Sequence, residues 1–223
     1  MAKGKTYTTR AISALGATAA LWLLINAVSD SLEVMAAGLD LYLMSRLPGA
    51  TPLDEYGAFP DPGGISLVTG GVRLVVLIVT LVTAFVVLQW IYRANRNAHA
   101  LGRGLDSNPP WAVGWFFIPF ASLWKPFEAM AETWKVSRDA EGWKRRATPD
   151  LLRWWWGFWL TGSLVGNVSF RVSLMARDVQ GLAWATGLEL ISAVAFVGSG
   201  LLLKRIVEDV TRAQTHQMNA GVF

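Results

Sequence analysis

Glu189 is the residue whose position most strongly suggests chemistry, because it interrupts the apolar run 182–203. An ionisable side chain at membrane depth costs about 2.5–3.5 kcal/mol unless another group pairs with it. Arg73 and Arg171 are expected at a similar depth and are the basic partners that the sequence offers. Two interpretations follow. Glu189 could titrate within a proton or ion path, or it could form a buried ion pair that fixes the register of the helices.

Asp30, Glu33 and Asp40 place acidic side chains on one face of a helix that is expected to extend beyond the membrane. Such a row could attract calcium or another cation, or it could be a solvated acidic face. It could also supply partners for three arginines on the predicted outer side, which are Arg73, Arg171 and Arg177.

A second group of polar residues follows the apolar run 72–92. Arg93 and Arg96 come at the end of this run, where they could bind lipid phosphates or cap the negative end of a helix. Lys125 and Glu128 are three residues apart on a helix, which predicts a local ion pair. Glu128 and Glu132 are the carboxylates that an enzyme acting on lipid would use.

No enzyme or metal motif accompanies these residues in the sequence. The 223 residues include no cysteine and only two histidines, His99 and His216, which are far apart. Metalloprotease, serine hydrolase and nucleotide-binding patterns are absent. We therefore predict no catalytic residue, no metal and no other cofactor.

The composition is typical of a membrane protein. Hydrophobic residues make up 53% of the chain and charged residues only 16%, and the mean hydropathy is +0.37. A soluble protein usually has about a quarter charged residues. The basic residues cluster beside apolar runs, so the expected partner is an anionic lipid surface, and no nucleic acid is expected.

Four segments are long and apolar enough to cross a hydrocarbon core about 30 Å thick as helices. The N-terminal segment has the basic start of a signal peptide, but its apolar run is a full span long and no clear cleavage site follows. The predicted fold is an all-α membrane bundle formed by four spans: 11–30, 72–92, 154–174 and 182–203.

Lysine and arginine in the connecting segments predict the orientation of these spans. Lys3 and Lys5 precede the first span, whereas the loop 48–64 contains Asp54, Glu55 and Asp61 but no basic residue. The loop is therefore predicted outside and the N-terminus inside. Basic blocks follow span two, precede span three and follow span four, so the tail 204–223 is also predicted to be cytoplasmic.

The segment 108–138 must then return to the side that it left. Its apolar stretch from Trp111 to Ala121 is too short to cross the membrane. From Phe120 onward, apolar residues recur at helical spacing, which predicts an amphipathic helix at the membrane surface, entered through a Pro-broken, re-entrant hairpin. A helix packed beneath the bundle is the alternative. Many tryptophans are also expected at this cytoplasmic boundary.

The sequence "WIYRANRNAHALG", followed by "NPPWAVGWFFIPFASLWKPFEAMAETWKVS", resembles a bacterial membrane protein family, domain of unknown function 4328. The resemblance covers the chain from about Val72 onward and implies a polytopic membrane protein without an assigned activity. The residues that carry it, together with nearby motif residues, form a candidate docking site for lipid or a partner: Arg93, Arg96, Asn97, Trp111, Gly114, Trp115, Pro119, Trp124, Lys125, Pro126 and Glu128.

Three functions are compatible with this sequence. The first is a non-enzymatic structural, interaction or lipid-organising subunit of the bacterial cytoplasmic membrane, whose possible partners are a second copy of the chain in a homo-oligomer or another membrane protein. The second is an oligomeric channel or small-solute transporter in which the Pro-broken hairpin is the gate. The third is a membrane enzyme that acts on lipid.

Overall fold

A computed structural model describes residues 7–55, 57–60 and 64–220. The predicted basic residues Lys3 and Lys5 and the predicted acidic loop residue Asp61 lie outside the described residues. In the described ranges the chain forms α-helices and short 3₁₀ turns but no β-strand. The all-α class is therefore confirmed.

The structure contains six α-helices along the described part of the chain. The described residues are divided between two compact units: unit 1 comprises 7–23, 82–156 and 202–220, and unit 2 comprises 24–55, 57–60, 64–81 and 157–201. The helices are α1 (Ser13–Met44), α2 (Ile65–Leu101), α3 (Pro109–Gly114), α4 (Lys125–Arg138), α5 (Asp150–Met175) and α6 (Val179–Ala220).

Three of these helices, α1, α2 and α6, are long and apolar enough to cross a membrane. Helices are suited to this environment because every central backbone N–H finds its acceptor within the same helix. The predicted span 154–174 lies in α5, which is not among the helices that meet this criterion in the described residues. Tryptophan, glycine, serine and asparagine make α5 less apolar, and the count of four spans stays a prediction.

The segment between α2 and α4 is more irregular than the sequence predicts. The expected helix from Phe120 begins only at Lys125, because Pro126 is placed in the first turn of α4, where a residue without an N–H is tolerated. Before it, Ala121–Leu123 forms a 3₁₀ turn. Phe120 has a φ of 63°, a backbone conformation that residues other than glycine rarely adopt. The prediction of one continuous amphipathic helix from residue 120 is therefore wrong.

In unit 2, the loop after α1 is fixed to the turn that joins α5 to α6. The backbone N–H of Leu53 donates to the carbonyl of Arg177 at 3.2 Å, and that of Val179 donates to Thr51 at 3.0 Å. Met44, Phe59 and Val179 form a buried apolar cluster beside these bonds. The described part of the loop 48–64 is thus an ordered part of this unit.

Small residues bring α5 and α6 close together in unit 2. A Cβ atom on Gly162 would lie 3.0 Å from a ring carbon of Phe196, and one on Gly166 would lie 2.8 Å from Ser192 Oγ. The Ser192 hydroxyl donates to the Gly162 carbonyl at 2.9 Å. These glycines therefore serve packing within the chain.

In unit 1, α4 packs against the C-terminal part of α2. Ala98, Val136 and Trp143 form its buried cluster, and the Trp143 indole N–H donates to the Arg103 carbonyl at 3.1 Å. Trp90 is also buried, and its indole donates to Thr211 Oγ1 at 3.0 Å. Several tryptophans predicted to lie at the membrane boundary are thus core residues, including Trp155 and Trp156.

Replacing Gly166 by leucine should destabilise unit 2, because the new side chain would have to displace Ser192. We expect a loss of about 1–3 kcal/mol, which is typical of overpacking. The matched control is Gly157→Leu on the same helix, where a Cβ atom would meet nothing within 4 Å. Thermal unfolding in detergent measures both, and equal losses would contradict this account of the close approach.

Candidate functional site

Arg73 is the centre of a charged cluster in unit 2. Its guanidinium makes two hydrogen bonds to Glu189, from Nε to Oε1 at 3.1 Å and from Nη2 to Oε2 at 3.2 Å. It also lies 2.9 Å from Asp40 Oδ2 and 3.2 Å from Glu33 Oε1. Two helices, α1 and α6, thus bring three carboxylates to the guanidinium on α2.

The two α1 carboxylates of this cluster are buried, which excludes a solvated acidic face at their positions. Glu33 is 7% exposed and Asp40 is 3% exposed. Asp40 also accepts a hydrogen bond from the hydroxyl of Thr69 at 3.1 Å. Asp30 is buried one turn before Glu33 and accepts a hydrogen bond from the Asn26 amide at 2.7 Å. Two of the three residues of the acidic row, Glu33 and Asp40, therefore supply partners for Arg73.

Arg171, the second predicted partner of Glu189, has a different neighbour. Its Nε donates to Asn167 Oδ1 at 2.9 Å, one turn earlier on α5, and its side chain is exposed. Among the ion pairs of the described residues, Glu189 pairs with Arg73 and not with Arg171. The sequence gives no means of choosing between these arginines, because their expected depths are similar.

Asn97, which belongs to the sequence motif, lies in a buried network in unit 1. Its carbonyl oxygen accepts the backbone N–H of Arg10 at 2.8 Å, and its amide donates to Gln214 Oε1 at 3.1 Å. Gln214 in turn donates to the Ala94 carbonyl and to Ser137 Oγ, both at 2.9 Å. These bonds join α2, α4, α6 and the segment before α1.

Sequence reasoning missed Gln214 as a partner of Asn97. A signal for it exists, since Gln214 follows the buried residues Val207 and Val210 at spacings of seven and four residues. That spacing places a polar amide on the buried face of α6, where it needs a hydrogen-bonding partner.

Arg93 and Arg96 lie close to this network at the same end of α2. Arg93 Nη1 donates to the Ala11 carbonyl at 2.9 Å, so it binds the main chain that precedes α1. The Nε atom of Arg96 is buried without a hydrogen-bond partner. Of the two arginines, Arg93 therefore has a clear structural role.

A cavity of about 690 Å³ in unit 1 contains much of the remaining sequence motif. Lys125, Glu128 and Glu132 lie in its wall with Trp111 and Trp115. Lys125 Nζ donates to Glu128 Oε2 at 2.7 Å, which is the local pair that the spacing predicts. The two indoles stack with ring centroids 4.5 Å apart. The cavity therefore combines aromatic surface with charged groups of both signs.

Glu132 has a structural task at the edge of this cavity. Its two carboxylate oxygens accept the backbone N–H groups of Asp106 at 3.3 Å and Ser107 at 3.2 Å. Burial raises the pKa of Glu132 above its usual range, and these two hydrogen bonds oppose the shift. The carboxylate holds the loop between α2 and α3 in place.

The remaining motif residues lie in the exposed segment 109–124 before α4, which we call the aromatic loop. Gly114 ends α3, and a Cβ atom there would lie 3.2 Å from the Trp111 ring. The Trp156 indole N–H donates to the Leu123 carbonyl at 2.9 Å and so anchors the loop to α5. Five side chains of the loop and its surroundings remain largely exposed: Phe117, Pro119, Phe120, Trp124 and Trp154.

Within the described ranges, no group of three or more histidine, aspartate or glutamate residues is arranged to hold a metal ion. The three helices that are long and apolar enough to cross a membrane indicate an α-helical membrane protein.

The family model "Domain of unknown function (DUF4328)" matches residues 65–212, and the chain belongs to this family. The resemblance stated from the sequence motif is thereby confirmed. No curated protein and no solved structure matches the chain.

Arg73→Gln should destabilise unit 2, because it leaves three carboxylates without their cation. Removing one partner of a buried ion pair costs about 3–5 kcal/mol. Since the Arg73 side chain is 33% exposed, we expect a smaller loss of about 2–3 kcal/mol. Arg171→Gln is the control and should change stability by less than about 0.5 kcal/mol. Unfolding in detergent measures both, and similar losses would show that Arg73 has no special role.

Proposed function

We propose that this protein is a four-span protein of the bacterial cytoplasmic membrane that organises anionic lipid at its cytoplasmic face, without enzymatic activity. In this proposal both termini are cytoplasmic, and the aromatic loop between α2 and α4 lies in the membrane surface. The exposed aromatic side chains of that loop are the observation that carries the proposal.

Exposure of these large aromatic side chains to water is unfavourable. Phe117 is 71% exposed and Phe120 is 78% exposed, while Trp124 is 47% exposed. Burying one such side chain in hydrocarbon is worth about 1.5–3 kcal/mol. The loop is short and is broken by prolines, so it can enter the membrane surface without crossing the bilayer.

Basic residues in the same unit provide the electrostatic part of a lipid surface. Lys144, Arg145 and Arg146 are exposed before α5, and Arg153 is exposed in its first turn beside Trp154. Each basic residue near an anionic membrane contributes about 1 kcal/mol of attraction. Aromatic insertion together with positive charge is the combination expected of a protein that gathers anionic lipids.

The proposed topology predicts which positions an impermeant reagent can reach in intact cells. The natural sequence has no cysteine, so single-cysteine variants report one position each. Cysteine at position 55 in the predicted outer loop should react, whereas cysteine at 145 or 212 should react only after the cells are lysed. Reaction at 145 or 212 in intact cells would overturn the even number of spans.

The proposed lipid preference predicts the effect of neutralising two basic residues. Wild-type protein in a gentle detergent should retain anionic phospholipid in preference to zwitterionic phospholipid, as measured by native mass spectrometry. Lys144→Gln together with Arg145→Gln should weaken this preference by about 2 kcal/mol.

The matched control is Arg46→Gln with Arg177→Gln, which removes two arginines from the predicted outer side. This variant should keep the preference for anionic lipid. Recovery of the wild type as a clean, lipid-free monomer would count against the proposal.

The transporter and enzyme hypotheses have weaker support. The segment between α2 and α4, which the channel hypothesis takes as the gate, has exposed aromatic side chains, which suit lipid contact better than a gate. An enzyme acting on lipid would need Glu128 or Glu132, but Glu128 is paired with Lys125 and Glu132 accepts two backbone hydrogen bonds. The charged cluster around Arg73 is a separate feature with consequences of its own.

A further inference from the structure

Two cavities in unit 2 meet at the charged cluster. Cavity I has a volume of about 520 Å³ and extends from the cluster toward Asp40 and Met44. Cavity II has a volume of about 330 Å³ and extends from the cluster toward Asn26 and Thr80. Arg73, Glu189 and Ser192 line both. The ion pair of Arg73 and Glu189 therefore stands where the two cavities adjoin.

The Glu33 carboxylate in the wall of cavity II lacks a hydrogen-bond donor. It is 7% exposed, and neither of its oxygens accepts a hydrogen bond from the protein. Arg73 Nε lies 3.2 Å from Glu33 Oε1, but the single hydrogen of Nε is directed to Glu189. A buried carboxylate that has electrostatic attraction but no hydrogen bond leaves a strong acceptor unused.

The charges around cavity II do not balance. Asp30, Glu33 and Glu189 contribute three carboxylates to its wall, and Arg73 is the basic residue among its lining residues. With all of these groups ionised, the wall carries two negative charges in excess. Uncompensated charge in an apolar environment is costly, so a positive ligand would be strongly favoured there.

We propose that cavity II binds a small organic cation with a primary ammonium group, which donates hydrogen bonds to Glu33 and Asp30. A primary ammonium has three N–H donors and matches the unused oxygens of Glu33. Val76, Leu77 and Phe196 in the same wall would contact the alkyl part of the ligand. This site is distinct from the lipid surface of unit 1, and its occupation does not depend on the proposed lipid function.

Cavity I gives this cation a polar route of entry. Its wall contains Asp40 and Thr69 before the cluster, and Ser192 beside Glu189. A cation that approached Glu189 through this cavity would remain near carboxylate or hydroxyl oxygens. Arg73 would have to yield one of its contacts for the cation to reach cavity II, so Arg73 is a positioning residue for the site.

Calorimetric titration of the protein in lipid nanodiscs with ethylammonium tests this site. Wild-type protein should bind ethylammonium more tightly than ethanol, which has no charge, and than tetramethylammonium, which has the charge but no N–H donor. Glu33→Gln should weaken ethylammonium binding by at least about tenfold, because it removes a charged hydrogen-bond acceptor. Glu208→Gln is the matched control, since Glu208 bonds to Lys204 in unit 1, and it should bind as the wild type does.

Three results would overturn the proposal. Absence of ethylammonium binding in the wild type would show that the charges around cavity II are balanced without such a cation. Equal binding of tetramethylammonium would remove the argument from hydrogen bonding, and an unchanged affinity in Glu33→Gln would place the cation elsewhere. If Glu33→Gln proves unstable, Asp30→Asn serves as the second variant, and it should weaken binding while ethylammonium raises the unfolding temperature of the wild type.

Discussion

A charge can lie among apolar helices only where an opposite charge or a set of hydrogen bonds meets it, and Arg73 shows how unit 2 satisfies this constraint. Its partners come from two other helices, Glu33 and Asp40 from α1 and Glu189 from α6. Sliding either helix by one residue would move a carboxylate by about 1.5 Å along the axis and about 100° around it. The guanidinium therefore favours one register of α1 and α6 against α2.

Unit 1 satisfies the same constraint with neutral groups. Asn97 and Gln214 are fully buried, and each uses both its carbonyl and its amide in contacts between different parts of the chain. An amide pair costs less to desolvate than an ion pair, because no full charge leaves water. It still specifies the packing, since a shifted helix would leave a buried donor or acceptor without a partner. The two units thus reach a defined packing by different polar chemistry.

The sequence predicts features that depend on local pattern and is weaker on features that depend on which helices become neighbours. The long apolar runs correctly predict the helices α1, α2 and α6, because hydropathy and helix length are local properties. Lys125 and Glu128 follow from their spacing for the same reason. By contrast, tertiary packing determines that Glu189 pairs with Arg73 and not with Arg171. It also determines the burial of Trp90 and Trp155. Hydropathy also could not locate the start of α4, which the position of Pro126 determines.

The composition of the Arg73 cluster exceeds what a purely structural role requires. One carboxylate is enough to neutralise one guanidinium, and well-packed apolar residues often replace a buried ion pair without loss of stability. Additional carboxylates that face the same guanidinium repel one another, which makes the cluster less stable than a simple pair. Glu33 illustrates the excess, because it adds a buried charge and receives no hydrogen bond in return. Such an arrangement is favourable when a further positive charge joins it, and this reasoning links the cluster to a ligand rather than to packing alone.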